Sequence, residues 1–348
     1  MEKKSKLSRE SLAWLTACLD PYHDYQQDIR GLPDMRSSPS VVQMHNQSYT
    51  LTAPASAAGG LWDAKISYTG FDVFAGQMTH LVDENSWAAN IRHYYDHAAL
   101  NTTGPLFGAL SIRAGATGVP ISMGILNVGD TATALPSFLT GTRGRLIAVA
   151  YEVHNTTADI YKQGSVTTAM LAGNNQDAST LAYRDTNVAP YDDISFQADR
   201  STVFACTRSD LQTIPTSQTW EAAKGVYAIP RCTSVPEKLS CPNGSTRVPV
   251  VYSTDGHLAT VDPFAIMAID ELPVVGQYDV AQFSPMESFF TGLSPQTTLS
   301  ITFRTVIEYF PAPGDVLLPM SMPSPAYDPR AFAIYSAAAK LAPYAVQT

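Results

Sequence analysis

From Gln47 onward, apolar residues recur at every second position, and that period constrains the fold more than any other feature of the chain. Tyr49, Leu51 and Ala53 alternate with Ser48, Thr50 and Thr52, and Trp62 to Tyr68 repeats the habit after a Gly-Gly break. Such alternation sends one row of side chains into a core and the other toward polar surroundings, as in a half-buried strand. Leu146 to Glu152 and Ala158 to Ala169 return to it, with Asn155-Thr156-Thr157 as the turn between them. Ser195 to Cys206, Arg247 to Tyr252, Ala265 to Ile269 and Thr298 to Phe310 supply further strands. Roughly eight or more strands with no βαβ rhythm predict a mainly β fold, an antiparallel sandwich, best fitted by a single eight-stranded jelly roll.

Helical spacing is confined to the two ends and one insertion. Ser8 can cap a helix carrying Leu12, Leu15 and Leu19, which Asp20-Pro21 stops because proline lacks the N–H needed to continue. Gly31-Leu32-Pro33-Asp34 then makes a tight turn. Asp328-Pro329 opens a last helix with Phe332, Tyr335 and Ala339 on one face, and Pro343 ends it. Trp87 to His97 also reads as helical, inside a long insertion over 71–142 otherwise rich in Pro, Gly and Thr. The implied organisation is an N-terminal arm, helix and lead-in over 1–45, a jelly-roll domain over 46–312 with that insertion and long loops at 207–246, and a C-terminal linker and helix over 313–348.

At 348 residues the chain can bury a sizeable core without staples. Charged residues are only 15%, against roughly 25% in an average soluble protein, and 24 prolines fill connecting segments. Lean charge suits a surface covered by neighbouring subunits, and equally a secreted β protein with a Ser/Thr-rich exterior. A net charge of -9 excludes a nucleic-acid reader working through its whole surface, because phosphate binding depends on clustered cations. The one basic cluster is the tip Lys3, Lys4, Lys6 and Arg9. Cys18, Cys206, Cys232 and Cys241 lack zinc-site spacing, so free thiols are expected. A charged start and the lack of any apolar run of about 18 residues predict neither secretion nor a membrane span. The sequons at Asn46, Asn101, Asn155 and Asn243 are accordingly expected to be unglycosylated.

Motifs for catalysis are sparse. Ala114 to Pro120 is Gly-containing but no Lys follows it, so it reads as a loop. His93 and His97 stand at i, i+4 without the Glu that metalloprotease chemistry needs. Asp185, Asp192, Asp193 and Asp199 form the best metal candidate, since calcium takes several carboxylate and carbonyl oxygens from loops. Asp20, His23, Asp24 and Asp28 could perform acid/base work, but Pro-Tyr-His-Asp reads better as a hydrogen-bonded turn. The alternative to a structural role is an extracellular β-sandwich binding module or hydrolase using Asp20, His23 and Asp24.

Leu7 to Asp34 resembles, without a gap, the segment preceding the shell domain of insect nodavirus coat proteins, in its Leu-Ser start, Leu-Ala-aromatic-Leu core and Gly-aliphatic-Pro-Asp close. Asn46-Gln47-Ser48 followed by Thr52-Ala53-Pro54 is similar to that family's first strand, and Arg145 to Thr168, with Gly164-Ser165-Val166-Thr167, to its central hairpin. Glu308-Tyr309 with Pro311 and Pro313, then Ser324-Pro325 and Asp328 through Tyr335 to Ala345-Val346, resembles its last strand and closing helix. Related tetra-like coat proteins are the alternative within the same group.

The resemblance implies a non-enzymatic jelly-roll coat protein of a small non-enveloped virus, made in the host cytoplasm and assembling with itself into a T=3 icosahedral virion around genomic single-stranded RNA. It implies non-specific RNA contact through Lys3, Lys4, Lys6 and Arg9, a host receptor as a further partner, and calcium as the one cofactor. An approximate register sets Asp185 opposite a family calcium ligand, with Asp193 as its neighbour. The family's cleavage-promoting Asp falls opposite His23, one residue before Asp24, and neither the final helix nor the tail contains the Asn at which that family cleaves. Cleavage within this chain is therefore not expected. The basic arm is shorter, and the 71–142 insertion longer, than the family's.

Overall fold

The computed structural model describes residues 7–23, 28–35, 38–73, 77–81, 90–96, 106–116, 119–128, 143–171, 179–183, 195–203, 208–234, 246–251, 269–274, 282–311, 313–341 and 344–348. Two antiparallel sheets face each other. In the first, the order is β1 (Val41–Thr52), β18 (Thr298–Phe310), β7 (Arg143–Asn155), β12 (Val226–Ala228) and β19 (Ala345–Val346). In the second it is β11 (Gln218–Glu221), β8 (Ser165–Met170), β17 (Met286–Leu293), β2 (Trp62–Val73), β5 (Leu106–Ala116) and β6 (Val119–Val128).

Alternation decides which rows meet between the sheets. Leu51, Tyr151, Val153, Ile301 and Phe303 from the first sheet join Trp62, Ala64, Ile66, Val166 and Phe290 from the second in one buried core. Tyr68 and Phe303 bring their ring centroids to 5.7 Å across it. Tyr151 Oη and Ser288 Oγ, 2.8 Å apart, satisfy each other inside it, as buried hydroxyls must.

A bulge gives the first sheet a second use. Val306 opposes Ala148 and Ile307 opposes Leu146, so Ile147 is an extra residue on β7. An extra residue breaks the strict alternation of faces. Ile147 and Ala148 therefore both join the core outside the sandwich, where they meet α1 (Arg9–Leu19) and α3 (Pro329–Leu341). A short α2 (Arg208–Gln212) covers part of the other sheet through Leu211, which packs with Ala169 and Phe289.

A third sheet, ordered β15 (Ile269–Val274), β14 (Thr246–Val251), β9 (Ser179–Tyr183), β10 (Ser195–Val203), β4 (Asn90–Asp96) and β3 (Gln77–Leu81), draws two strands from each of three separate connections. Its β14–β9 pair is parallel. A two-stranded pair, β13 (Cys232–Ser234) with β16 (Gln282–Phe283), completes the set.

Several expectations require correction. Beyond the strands of a two-sheet sandwich the chain carries more, nineteen among the described residues, because its long connections form strands of their own. The helix read over Trp87 to His97 is a strand where it is described, Asn90–Asp96, paired to β10 and β3. Ile91, Tyr94 and Tyr95 are β-branched or aromatic, and partners on both sides override apparent helical spacing. The Ala114 to Pro120 stretch closes β5 and opens β6 as a hairpin. Pro120 lies on β6, the outermost strand of its sheet, the place in a sheet where proline is tolerated. Ala158 to Tyr161 is not strand either; it holds a 3-10 turn over Asp159–Tyr161.

Candidate functional site

The helix-covered face of the first sheet gathers most of the sequence-marked residues. Ser8 caps α1 by accepting from the Ser11 amide at 3.0 Å, and Asp328 caps α3 by accepting from the Arg330 amide at 3.1 Å. Ser11 Oγ donates to Asp328 Oδ2 at 2.7 Å, so one carboxylate orders both helix starts. The Asp328 amide donates to the Pro33 carbonyl at 3.0 Å, adding the Gly-Leu-Pro-Asp turn to the same junction. Trp14 fills the space between the helices, its ring 5.1 Å from Phe332 edge-on and 5.5 Å from Tyr335.

Beneath that turn lies a buried charge cluster. Arg145 Nη1 lies 2.5 Å from Asp34 Oδ2, while its Nε donates to Glu308 Oε2 at 2.6 Å. All three side chains are buried. Glu308 and Asp34 raise the Arg145 pKa against the lowering by burial. The Leu32 amide donates to Glu308 Oε2 at 3.3 Å. Gly31 sits directly over that carboxylate with φ +124°, and a Cβ there would collide with it. Only glycine combines that conformation with so close an approach.

Asp20 and His23 flank a turn. The His23 amide donates to the Asp20 carbonyl at 3.1 Å, and its Nδ1 lies 3.4 Å from Asp20 Oδ2. Asp20 Oδ1 accepts from Tyr227 Oη at 2.5 Å, fixing the end of α1 to β12. Burial first, and the Asp20 bond next, push the Tyr227 phenol up. Asp28 pairs with Arg30 at 3.4 Å instead. The turn's other anchors are the Tyr22 hydroxyl, which donates to the Thr302 carbonyl at 2.8 Å, and Arg304, stacked 4.1 Å over the Tyr22 ring.

Cys18 and Cys232 are free thiols near this face. Burial pushes the Cys18 thiol well up, which disfavours the reactive thiolate. Arg9 is exposed at the first position of α1. Lys3, Lys4, Lys6, Asp24, His97, Asp185, Asp192, Asp193, Cys206 and Cys241 lie outside the described residues. Among the described residues no group of three or more His, Cys, Asp or Glu could hold a metal ion, and no helix is long and apolar enough to cross a membrane.

Sequence reasoning missed the buried ions. On the outward row of the second sheet Lys65 Nζ lies 2.9 Å from Glu287 Oε1, both side chains at 1% exposure or less, with Arg113 paired beside Lys65 in register and also buried. Period-two alternation marks Lys65 as a solvent-facing residue; nothing local in the sequence says that this face is covered as well. For Arg145 the one signal was its place in the hairpin resemblance.

No family model matches the chain, and no curated protein matches it in sequence. Among solved structures, a T13 infectious bursal disease virus particle chain aligns over 95% of this chain and 91% of its own at 10% identity, TM-score 0.47. A chain from infectious bursal virus derived T=1 particles covers 94% and 90% at 10% identity, TM-score 0.45. A BFDV capsid protein from a decameric crystal structure covers 78% and 97% at 9% identity, TM-score 0.26.

Proposed function

We propose that this chain is the coat subunit of a small non-enveloped RNA virus, nodavirus-like, built on a jelly roll and enclosing single-stranded RNA. Strand order is the observation that carries the reading. The eight strands β1, β2, β7, β8, β11, β12, β17 and β18 pass alternately between the two sheets, except for the step from β8 to β11. They lie in the orders β1-β18-β7-β12 and β2-β17-β8-β11. Two four-stranded sheets filled in that sequence are the double Greek key of a jelly roll.

The two chain ends that resemble nodavirus coat proteins support the same reading, because they pack together on one sheet as a single unit. With that face turned inward, the tip Lys3, Lys4, Lys6 and Arg9 meets RNA by phosphate neutralisation. Calcium is proposed at Asp185 and Asp193, bridging subunits in the T=3 arrangement the resemblance implies. The third sheet, assembled from connections between jelly-roll strands, is the proposed receptor-facing part. Asp20 and His23 serve the turn, and no enzymatic step is assigned to them.

Size-exclusion chromatography with electron microscopy of the purified protein tests the proposal. Closed particles are expected, and a monomer under all salt and calcium conditions overturns it.

A further inference from the structure

We infer that the free edge of β1 is a homotypic contact, pairing antiparallel with β1 of a second copy about a twofold axis through Gln47. β1 ends the first sheet, and its only strand partner among the described residues is β18. In an antiparallel pair about half the residues aim their N–H and C=O groups away from the neighbour. Twelve residues thus present an edge of about 40 Å. Among the described residues, the chain's own linker bridges to this end of the strand at Ser40 and Met322 alone. At the other end of the sheet the chain seals its own edge, since β19 closes β12.

Edges that must stay single are blunted by charge, proline, bulges or shortness. β1 has none of these: it contains no Lys, Arg, Asp, Glu or Pro, and its twelve pairs with β18 run without a register shift. A second copy is the partner this edge fits, because an uncharged strand meets itself without like-charge cost. Registers that keep both faces in phase oppose residues of equal parity. The register centred on Gln47 sets Asn46 against Ser48 and Met44, which is 48% exposed, against Thr50.

Length and the linker select that centre. An axis at Gln47 pairs residues 42–52, the longest such register that leaves Val41, next to the bridged Ser40, out of the contact. The pairing joins two five-stranded sheets into one. It names a contact for the proposed coat subunit and to that extent rests on that reading, although the edge geometry does not.

Two variants test it. Ser48→Lys with Thr50→Lys places on the exposed row the side chain that natural edges use to block pairing, and Gln47→Cys brings two thiols within bonding reach, with oxidised glutathione as the oxidant. Self-association measured by sedimentation velocity is expected to weaken about ten-fold or more in the double lysine variant, with unchanged far-ultraviolet circular dichroism. Gln47→Cys is expected to give a disulfide dimer on a non-reducing gel that wild type and Thr52→Cys do not. Unchanged association of the lysine variant, or no dimer from Gln47→Cys, overturns the inference; wild-type particles in that case leave the coat reading standing. Wild-type dimers broken by the lysines, without particles under any condition, keep the edge contact and overturn the coat reading.

Discussion

Ser11 donates a 2.7 Å hydrogen bond to Asp328, 317 positions further along the chain. The same carboxylate caps α3 through its other oxygen. Replacing Ser11 with Ala is expected to cost about 1 kcal/mol, and Asp328→Ala about 2 kcal/mol because it also removes a helix cap. The double variant should cost less than the sum, since both substitutions delete one shared bond. Denaturant unfolding of the four proteins measures the coupling, and strict additivity would refute the junction.

Arg145 carries a larger load. With Met in its place, Asp34 and Glu308 lose the cation that pairs them inside the protein, and breaking a buried pair costs about 3–5 kcal/mol. Arg145→Lys should recover only part of this, because one ammonium cannot reproduce the planar fork that aims separate donors at Glu308 and Asp34. Gly31→Ala should destabilise comparably, by driving a methyl group into Glu308. Thermal melts of the three variants check the order, and a near-neutral Arg145→Met would show that the cluster holds nothing together.

His45 should give the protein an acid-sensitive step. Burial lowers its pKa, and its Nε2 lies 3.2 Å from the Tyr309 hydroxyl. An unfolded histidine takes up its proton near about 6.5, the folded one only at lower pH, so between the two the unfolded state binds more protons. Stability present above about 6.5 is therefore lost as pH falls through the folded value. His45→Gln should flatten that part of the stability profile, measured by chemical denaturation from neutral to mildly acidic pH. An identical slope in the variant would assign the step to another group.

Much of this was legible in the chain because it is written locally. Ser8, Asp20-Pro21 and Asp328-Pro329 mark the bounds of α1 and α3 through capping and proline chemistry that needs no tertiary partner. The row Leu299, Ile301 and Phe303 announces β18 by period alone. Strand β4 was misread because Trp87 to His97 fits either period, and only pairing with β10 and β3 decides between them. Lys65 and Glu287 were invisible for a related reason: a covered outer face keeps the alternation of an open one, and burial of the polar row comes from distant chain. Arg145 depends on the bulge at Ile147, which no local pattern announces.

Calcium bridging makes a prediction separate from the fold. Asp185→Asn removes one charge from the proposed ligand set and should lower particle heat stability, most visibly when calcium is present. A chelator should bring wild-type particles to the level of the variant. Equal melting of both, with and without chelator, removes the site.

The basic tip must be tested without disturbing the helix behind it. Ser8 is the cap of α1, its oxygen accepting from the Ser11 amide, so a truncation through Arg9 would damage the junction with Asp328 as well as remove charge. Changing Lys3, Lys4 and Lys6 to Ala leaves Ser8 in place and deletes three of the four cations. If the tip neutralises phosphate, the salt dependence of RNA binding should weaken by about 0.7 for each single-strand phosphate no longer neutralised, whatever the sequence of the RNA. The ratio of absorbance at 260 to 280 nm in purified particles should fall with it, while the melting temperature of the disassembled subunit stays fixed. Unchanged RNA content together with an unchanged salt slope would place the RNA-binding surface elsewhere on the subunit.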